Sequence, residues 1–199
     1  AFKNGIYNMK NKTFRDGIYP TDYLTKTLDF DYSSERNTDD MEWYKMELTK
    51  IMNNNTTHLE FLLSILGQAL TGDSEKYKYF YFCIGQLAGN GKSTIFSTLE
   101  NIFSCYVKCV ESNILETDYS KKHKIMPSFK TNRIVYLDEM KKGKKIDSKY
   151  VKLIADGKLY ENEILFGTTN TFKIQAKAFL LLNHMTDFDA MDLGVYRRY

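Results

Sequence analysis

The 199-residue sequence predicts an α/β fold, a core with a mostly parallel sheet preceded by a small N-terminal α+β module, on three observations. Short apolar runs alternate with helical and loop segments along most of the chain. A glycine-rich turn, Ala88-Gly89-Asn90-Gly91-Lys92-Ser93-Thr94, sits between one such run and an amphipathic segment. Another run, Arg133–Leu137, ends directly in Asp138-Glu139.

Taken in order, residues 1–37 are rich in Asn, Asp, Thr and Tyr and predict short strands and turns. Thr38-Asp39-Asp40 reads as an N-cap cluster for a helix over Met41–Met52, with Trp43, Met46, Leu48 and Ile51 as its apolar positions. Asn53-Asn54-Asn55 ends that helix, and a boundary near residue 55 separates a collar-like module (1–55) from the main domain (56–199). Thr57-His58-Leu59-Glu60 has the form of a capping box for a helix through Leu62, Leu63, Leu66, Ala69 and Leu70, broken at Gly72. Tyr77–Ile84 reads as a buried strand ending at Gly85. Ile95, Phe96, Leu99, Ile102 and Phe103 recur at helical spacing, so a helix runs from Lys92 to Phe103. Arg133–Leu137 and Ala178–Leu182 complete the set of buried strands.

Composition narrows the function classes. A hydrophobic content of 43% and an aromatic content of 15% exclude a mainly disordered chain. No apolar run approaches the roughly 20 residues that cross a bilayer, and no signal peptide opens the sequence, so a soluble intracellular protein is expected. Cys105 and Cys109 could share a helix face, with His123 following, but no second pair completes a four-ligand site. Three reduced, partly buried thiols, Cys83 included, are expected. The net charge of +3 does not by itself demand nucleic acid. The basic excess falls in the half with the glycine-rich turn, which permits such a partner. The chain begins at Ala1 and stops at Arg197-Arg198-Tyr199, and is expected to be a fragment of something longer.

The strand–loop–helix order around residues 79–103 is what a phosphate cradle requires. Glycines let backbone N–H groups approach anionic oxygens, and the helix N-terminus adds a favourable dipole. Lys92 would reach the β- and γ-phosphates of ATP and the Ser93 hydroxyl would ligate Mg²⁺. The first glycine of the usual pattern falls at Gly85, one residue earlier than the spacing asks. Asp138 would hold Mg²⁺ through water, and Glu139 would orient and deprotonate the attacking water. Asn183, ending the third strand, could contact the γ-phosphate or that water, or could simply form a turn. Arg197 or Arg198 could reach a neighbouring subunit's site as an arginine finger, or could be surface charge.

With these motifs in place, the chain resembles a superfamily 3 helicase of the poxvirus-type primase-helicase group of large DNA viruses, phages and plasmids. Phe2-Lys3-Asn4-Gly5-Ile6-Tyr7 and Pro20-Thr21-Asp22-Tyr23-Leu24-Thr25 are similar to the family's N-terminal module. Gly89–Thr94 resembles its Walker A and Leu137-Asp138-Glu139 its Walker B. Lys152–Gly157 partly keeps a Gly-Gly-Asp motif, Asn183 falls at the sensor position, and Gly194–Arg198 resembles its Gly-x-x-Arg-Arg. The resemblance implies an AAA+-like, hexameric homo-oligomeric ring. Such a ring hydrolyses ATP with Mg²⁺ at its subunit interfaces and moves on single-stranded DNA during viral genome replication. It also implies a host-cytoplasmic or viral replication compartment, with no membrane partner. A primase domain would lie upstream. The family's DNA-contacting hairpin maps to Glu161–Lys177, with Thr168–Thr171 as its tip and Lys158, Lys173 and Lys177 as its cations. The Lys141–Lys145 run reads as a solvated loop.

Two other classes stay open on the residues alone. A small-molecule phosphotransferase also uses such a loop, although Asp138-Glu139 suits water activation and no arginine-rich lid is evident. A ring-forming scaffold or replication initiator could bind ATP without robust turnover.

Overall fold

The computed structural model describes residues 1–35, 37–85, 89–164 and 168–199. The chain opens with a hairpin of β1 (Gly5–Asn8) and β2 (Thr13–Asp16), paired antiparallel. Two helices follow, α1 (Thr38–Ile51) and α2 (Thr56–Leu70). The chain then runs β3 (Tyr81–Ile84), α3 (Lys92–Ile102), β4 (Val107–Val110), α4 (Lys122–Ile125), α5 (Pro127–Thr131) and β5 (Ile134–Leu137). It ends with α6 (Ser148–Asp156), a hairpin of β6 (Leu159–Ile164) and β7 (Thr168–Lys173), β8 (Lys177–Leu182) and α7 (Leu193–Tyr196).

Among the described residues the central sheet has the order β3-β8-β5-β4, and every neighbouring pair is parallel. Side-chain alternation divides two apolar layers. Val135, Leu137, Ala178, Leu180 and Leu182 face one side, where they meet Met126, Phe129, Val151 and Ile154 of α5, α6 and the turn before α5. Ile134, Tyr136, Phe179 and Leu181 face the other, against Leu48, Leu59, Leu66, Ile95 and Phe96 of α1, α2 and α3. Strands covered on both faces need continuous apolar runs, which is why β5 and β8 stand out in the sequence. Phe179 anchors the second layer, stacked on Tyr81 at 4.9 Å and close to Phe96 at 5.1 Å.

Several local expectations are corrected. The caps are asparagines: Asn37 accepts from the amides of Asp39 and Asp40, and Asn55 from that of His58. The Thr38 cluster and the Thr57 box therefore lie inside their helices, the free first-turn amides being met by Asn37 and Asn55 upstream. β3 starts at Tyr81 rather than Tyr77 and is an edge strand with Ile84 exposed, not a buried one. Cys109 stands on β4 and not on a helix with Cys105, so their shared helical face does not exist. All three thiols are free and partly buried. No helix among the described residues is long and apolar enough to cross a membrane.

Candidate phosphate site at the strand ends

Parallel strands deliver their carboxyl ends to one edge, where ligands of open α/β sheets collect. Here β3 leads to Gly85, β8 to Asn183 and β5 to Asp138-Glu139. Because β8 lies between β3 and β5, Asn183 falls between the glycine-rich turn and the acidic pair.

The side chains close this arrangement into one chain of contacts. Lys92 Nζ donates to Asn90 Oδ1 at 2.8 Å, to the Gly85 carbonyl at 3.3 Å and to Asn183 Oδ1 at 3.2 Å. Asn183 Nδ2 in turn donates to Glu139 Oε2 at 2.9 Å. Among the described residues Lys92 has no carboxylate within ion-pair distance, so its charge is uncompensated. Ser93 and Thr94 are exposed in the first turn of α3, and Asp138 and Glu139 are exposed at the strand end.

Backbone geometry explains the glycines. A Cβ on Gly85 would lie 1.9 Å from Asn90 Nδ2 and 3.0 Å from Lys92 Nζ, so a side chain there would fill the cradle. Gly91, the N-cap of α3, has φ +80°, and a Cβ on it would meet Ile51 of α1 at 2.8 Å. The end of α1 thus packs directly on the glycine-rich turn. Gly89 also has φ +75°. Ala88, assigned to the loop from the sequence, lies outside the described residues.

Sequence reasoning missed Cys109, whose Sγ lies 3.6 Å from Asp138 Oδ2. Burial, then the Asp138 carboxylate, push this thiol up to about 11, so it stays protonated beside the acidic pair. Burial likewise pushes Cys83 up to about 12, against the opposing charge of Lys92. Neither is a thiolate at neutral pH.

The arginines separate. Arg198 grips the buried carboxylate of Asp156 through two contacts, Nε–Oδ1 at 2.6 Å and Nη2–Oδ2 at 3.0 Å. Burial opposes the charge of Asp156, yet the hydrogen bonds from Arg198 and Lys158 hold its pKa below the ordinary value. Arg198 is therefore an internal tie between α7 and the end of α6, not a group free to reach another subunit. Arg197 is exposed, its Nε on the Leu193 carbonyl at 3.2 Å.

The hairpin expected between the acidic pair and Asn183 is present as β6–β7, with Ile164 facing Thr168. Thr168–Thr171 are paired residues of β7 and not its tip. Residues 165–167, between the two strands in sequence, lie outside the described residues. Lys158 and Lys173 are exposed and pair with Asp156 at 3.3 Å and Glu75 at 2.8 Å. Lys177 is only 2% exposed and donates to the carbonyls of Ser74 and Tyr77, so it cannot touch DNA. The Lys141–Lys145 loop is mostly solvated, with Lys144 paired to Asp118 at 2.5 Å.

Known proteins share parts of this design. In fold, the chain is similar to the apo C-terminal region of NrS-1, with TM-scores of 0.50 to 0.52 at 14–15% identity, covering 73% of this chain and about a third of that one. In sequence it is 27% identical to a helicase-named protein of Acanthamoeba polyphaga mimivirus over its whole length, and 25% identical to one of Sputnik virophage over 99% of it. Residues 1–67 match the family described as D5 N terminal like. Over its first third the chain therefore resembles the D5 family. It spans 21% and 25% of the two viral relatives. The D5-type match covers β1, β2 and α1 and reaches into α2.

Proposed function

We propose that this chain is the ATP-hydrolysing motor segment of a D5-type DNA helicase acting in viral genome replication. The observation that carries the reading is the bridge made by Asn183 between Lys92 and Glu139. It gathers a cation for the β- and γ-phosphates, a carboxylate for the attacking water and an amide between them. The uncompensated charge of Lys92 and the space kept open by Gly85 suit a triphosphate. Ser93 and Asp138 would hold Mg²⁺, which supplies neutralisation of phosphoryl-oxygen charge. Glu139 would take the proton from the attacking water, and Asn183 would hold Glu139 and the γ-phosphate in register.

Arg197 is the residue available to complete a neighbouring copy's site, in keeping with a homo-oligomeric, hexameric ring. The β6–β7 hairpin, with Lys158 and Lys173 at its base, would track a DNA strand through the channel. The helicase names of the viral relatives support this assignment of partner.

Phosphate release from ATP with and without single-stranded DNA tests it in the parent and in Glu139→Gln. The motor reading expects DNA-stimulated hydrolysis in the parent and its loss in the variant. Equal release from the two proteins would point to an ATP-binding scaffold instead.

A further inference from the structure

At the opposite, amino-terminal edge of the same sheet, two depressions of about 310 and 350 Å³ share Lys26 and Thr131 in their walls. Tyr23, Tyr106, Lys130 and Arg133 line the first, and Lys108 lines the second. Neither wall contains an Asp or a Glu. Lys26, Lys108, Lys130 and Arg133 therefore share one acid-free surface. Among the described residues none of the four is within ion-pair distance of a carboxylate.

The four cations differ in role. Lys26 is fixed on the carbonyls of Cys105, at 2.5 Å, and Thr131, so its charge is built into the floor. Burial lowers its pKa most; Cys105 opposes this, and the charges of Arg133 and Lys108 lower it further. Arg133 is half-buried with its guanidinium on Gln175. Lys108 on β4 and Lys130 at the end of α5 are exposed. Positive charge crowded without counter-charge lacks a partner that the fold itself supplies.

Tyr23 adds a second, independent feature. It is 87% exposed and its backbone is left-handed, at φ 49° and ψ 40°. Bulky residues rarely adopt that conformation, which costs on the order of 1 kcal/mol. The fold thus spends backbone strain on a residue whose ring stands in solvent at the rim of the cationic surface. Phosphodiester oxygens are recognised by such cations, and an unpaired base by such a ring.

We propose that this amino-edge surface is a second contact for single-stranded nucleic acid, with Lys108 and Lys130 on phosphates and Tyr23 stacked on a base. It lies a full strand length, about 13–20 Å, from the phosphate loop. It takes from the proposed function only the class of ligand, and it needs neither ATP nor the β6–β7 hairpin.

Anisotropy of a fluorescein-labelled oligothymidylate, titrated with the full chain without nucleotide, tests it. Lys108→Glu/Lys130→Glu should weaken binding at least tenfold and flatten the log–log salt dependence by about 1.4, the value for two single-strand phosphates. Tyr23→Ala should weaken it about fivefold or more, and duplex DNA of equal length should compete poorly. Both variants alter exposed side chains, and unchanged binding of a fluorescent ATP analogue would verify that they fold. Parent-like oligonucleotide binding by the double variant would overturn the proposal, as would equal competition by duplex or no binding by the parent. A chain that binds the oligonucleotide as expected but not the ATP analogue would sink the proposed function and leave this surface standing.

Discussion

Lys92 donates to the side-chain oxygen of Asn183 at 3.2 Å, although the two residues are 91 positions apart in the chain. One stands in the first turn of α3, after β3, and the other at the end of β8, the strand beside β3. The contact is thus a direct product of parallel pairing. It leaves the amide nitrogen of Asn183 free to hold Glu139. Asn183→Ala should lower ATP hydrolysis about 100-fold, the scale seen when a positioned polar group is removed from a reacting centre. Steady-state phosphate release against nucleotide titration would check that ATP binding changes far less than turnover.

The neighbouring arginines should behave in opposite ways. Arg198→Ala leaves the Asp156 carboxylate, 4% exposed, without its guanidinium, and should cost about 3 kcal/mol. For a chain of this size that lowers Tm by roughly 6–12 °C in a thermal melt. Arg197→Ala should leave Tm unchanged and abolish hydrolysis.

Mixing two inactive proteins tests whether Arg197 acts across an interface. Arg197→Ala supplies an intact Lys92, and Lys92→Ala supplies an intact Arg197. Phosphate release from the mixture should recover part of the parent rate if sites are shared between subunits. Silence would confine Arg197 to its own chain.

Lys177 gives the stability a pH signature. Burial depresses its pKa to about 8, against the opposing pull of Asp73 and Asp156. The folded state therefore binds fewer protons than the unfolded state between about pH 8 and the ordinary lysine value of 10.5. The penalty for the buried charge is complete below that window and is relieved as pH rises through it. Urea unfolding at pH 7.5 and 9.5 should show the parent gaining stability relative to Lys177→Met over that interval.

What the sequence discloses follows from how each feature is encoded. Leu137-Asp138-Glu139 and Leu182-Asn183 are legible because a strand buried on both faces must be continuously apolar, so its polar terminus is conspicuous. β4 was not legible: at four residues on the sheet edge, its Lys108 and Cys109 interrupt the apolar pattern. The contact of Cys109 with Asp138 was lost with it. Lys177 reads as a surface cation in sequence, since nothing local signals that the carbonyls of Ser74 and Tyr77, about 100 residues earlier, will receive it. Arg198 misleads for the same reason, its partner Asp156 being reached only through the packing of α7 on α6.

The central claim is that Asn183 and Glu139 work as parts of one hydrolytic site. A double-mutant cycle on Mg²⁺-dependent ATP hydrolysis, with Asn183→Ala, Glu139→Gln and both together, tests it most directly. Residues acting as a unit are strongly non-additive, so the double variant should be no slower than Glu139→Gln alone. Multiplying losses, or single variants that hydrolyse ATP at the parent rate, would contradict the account.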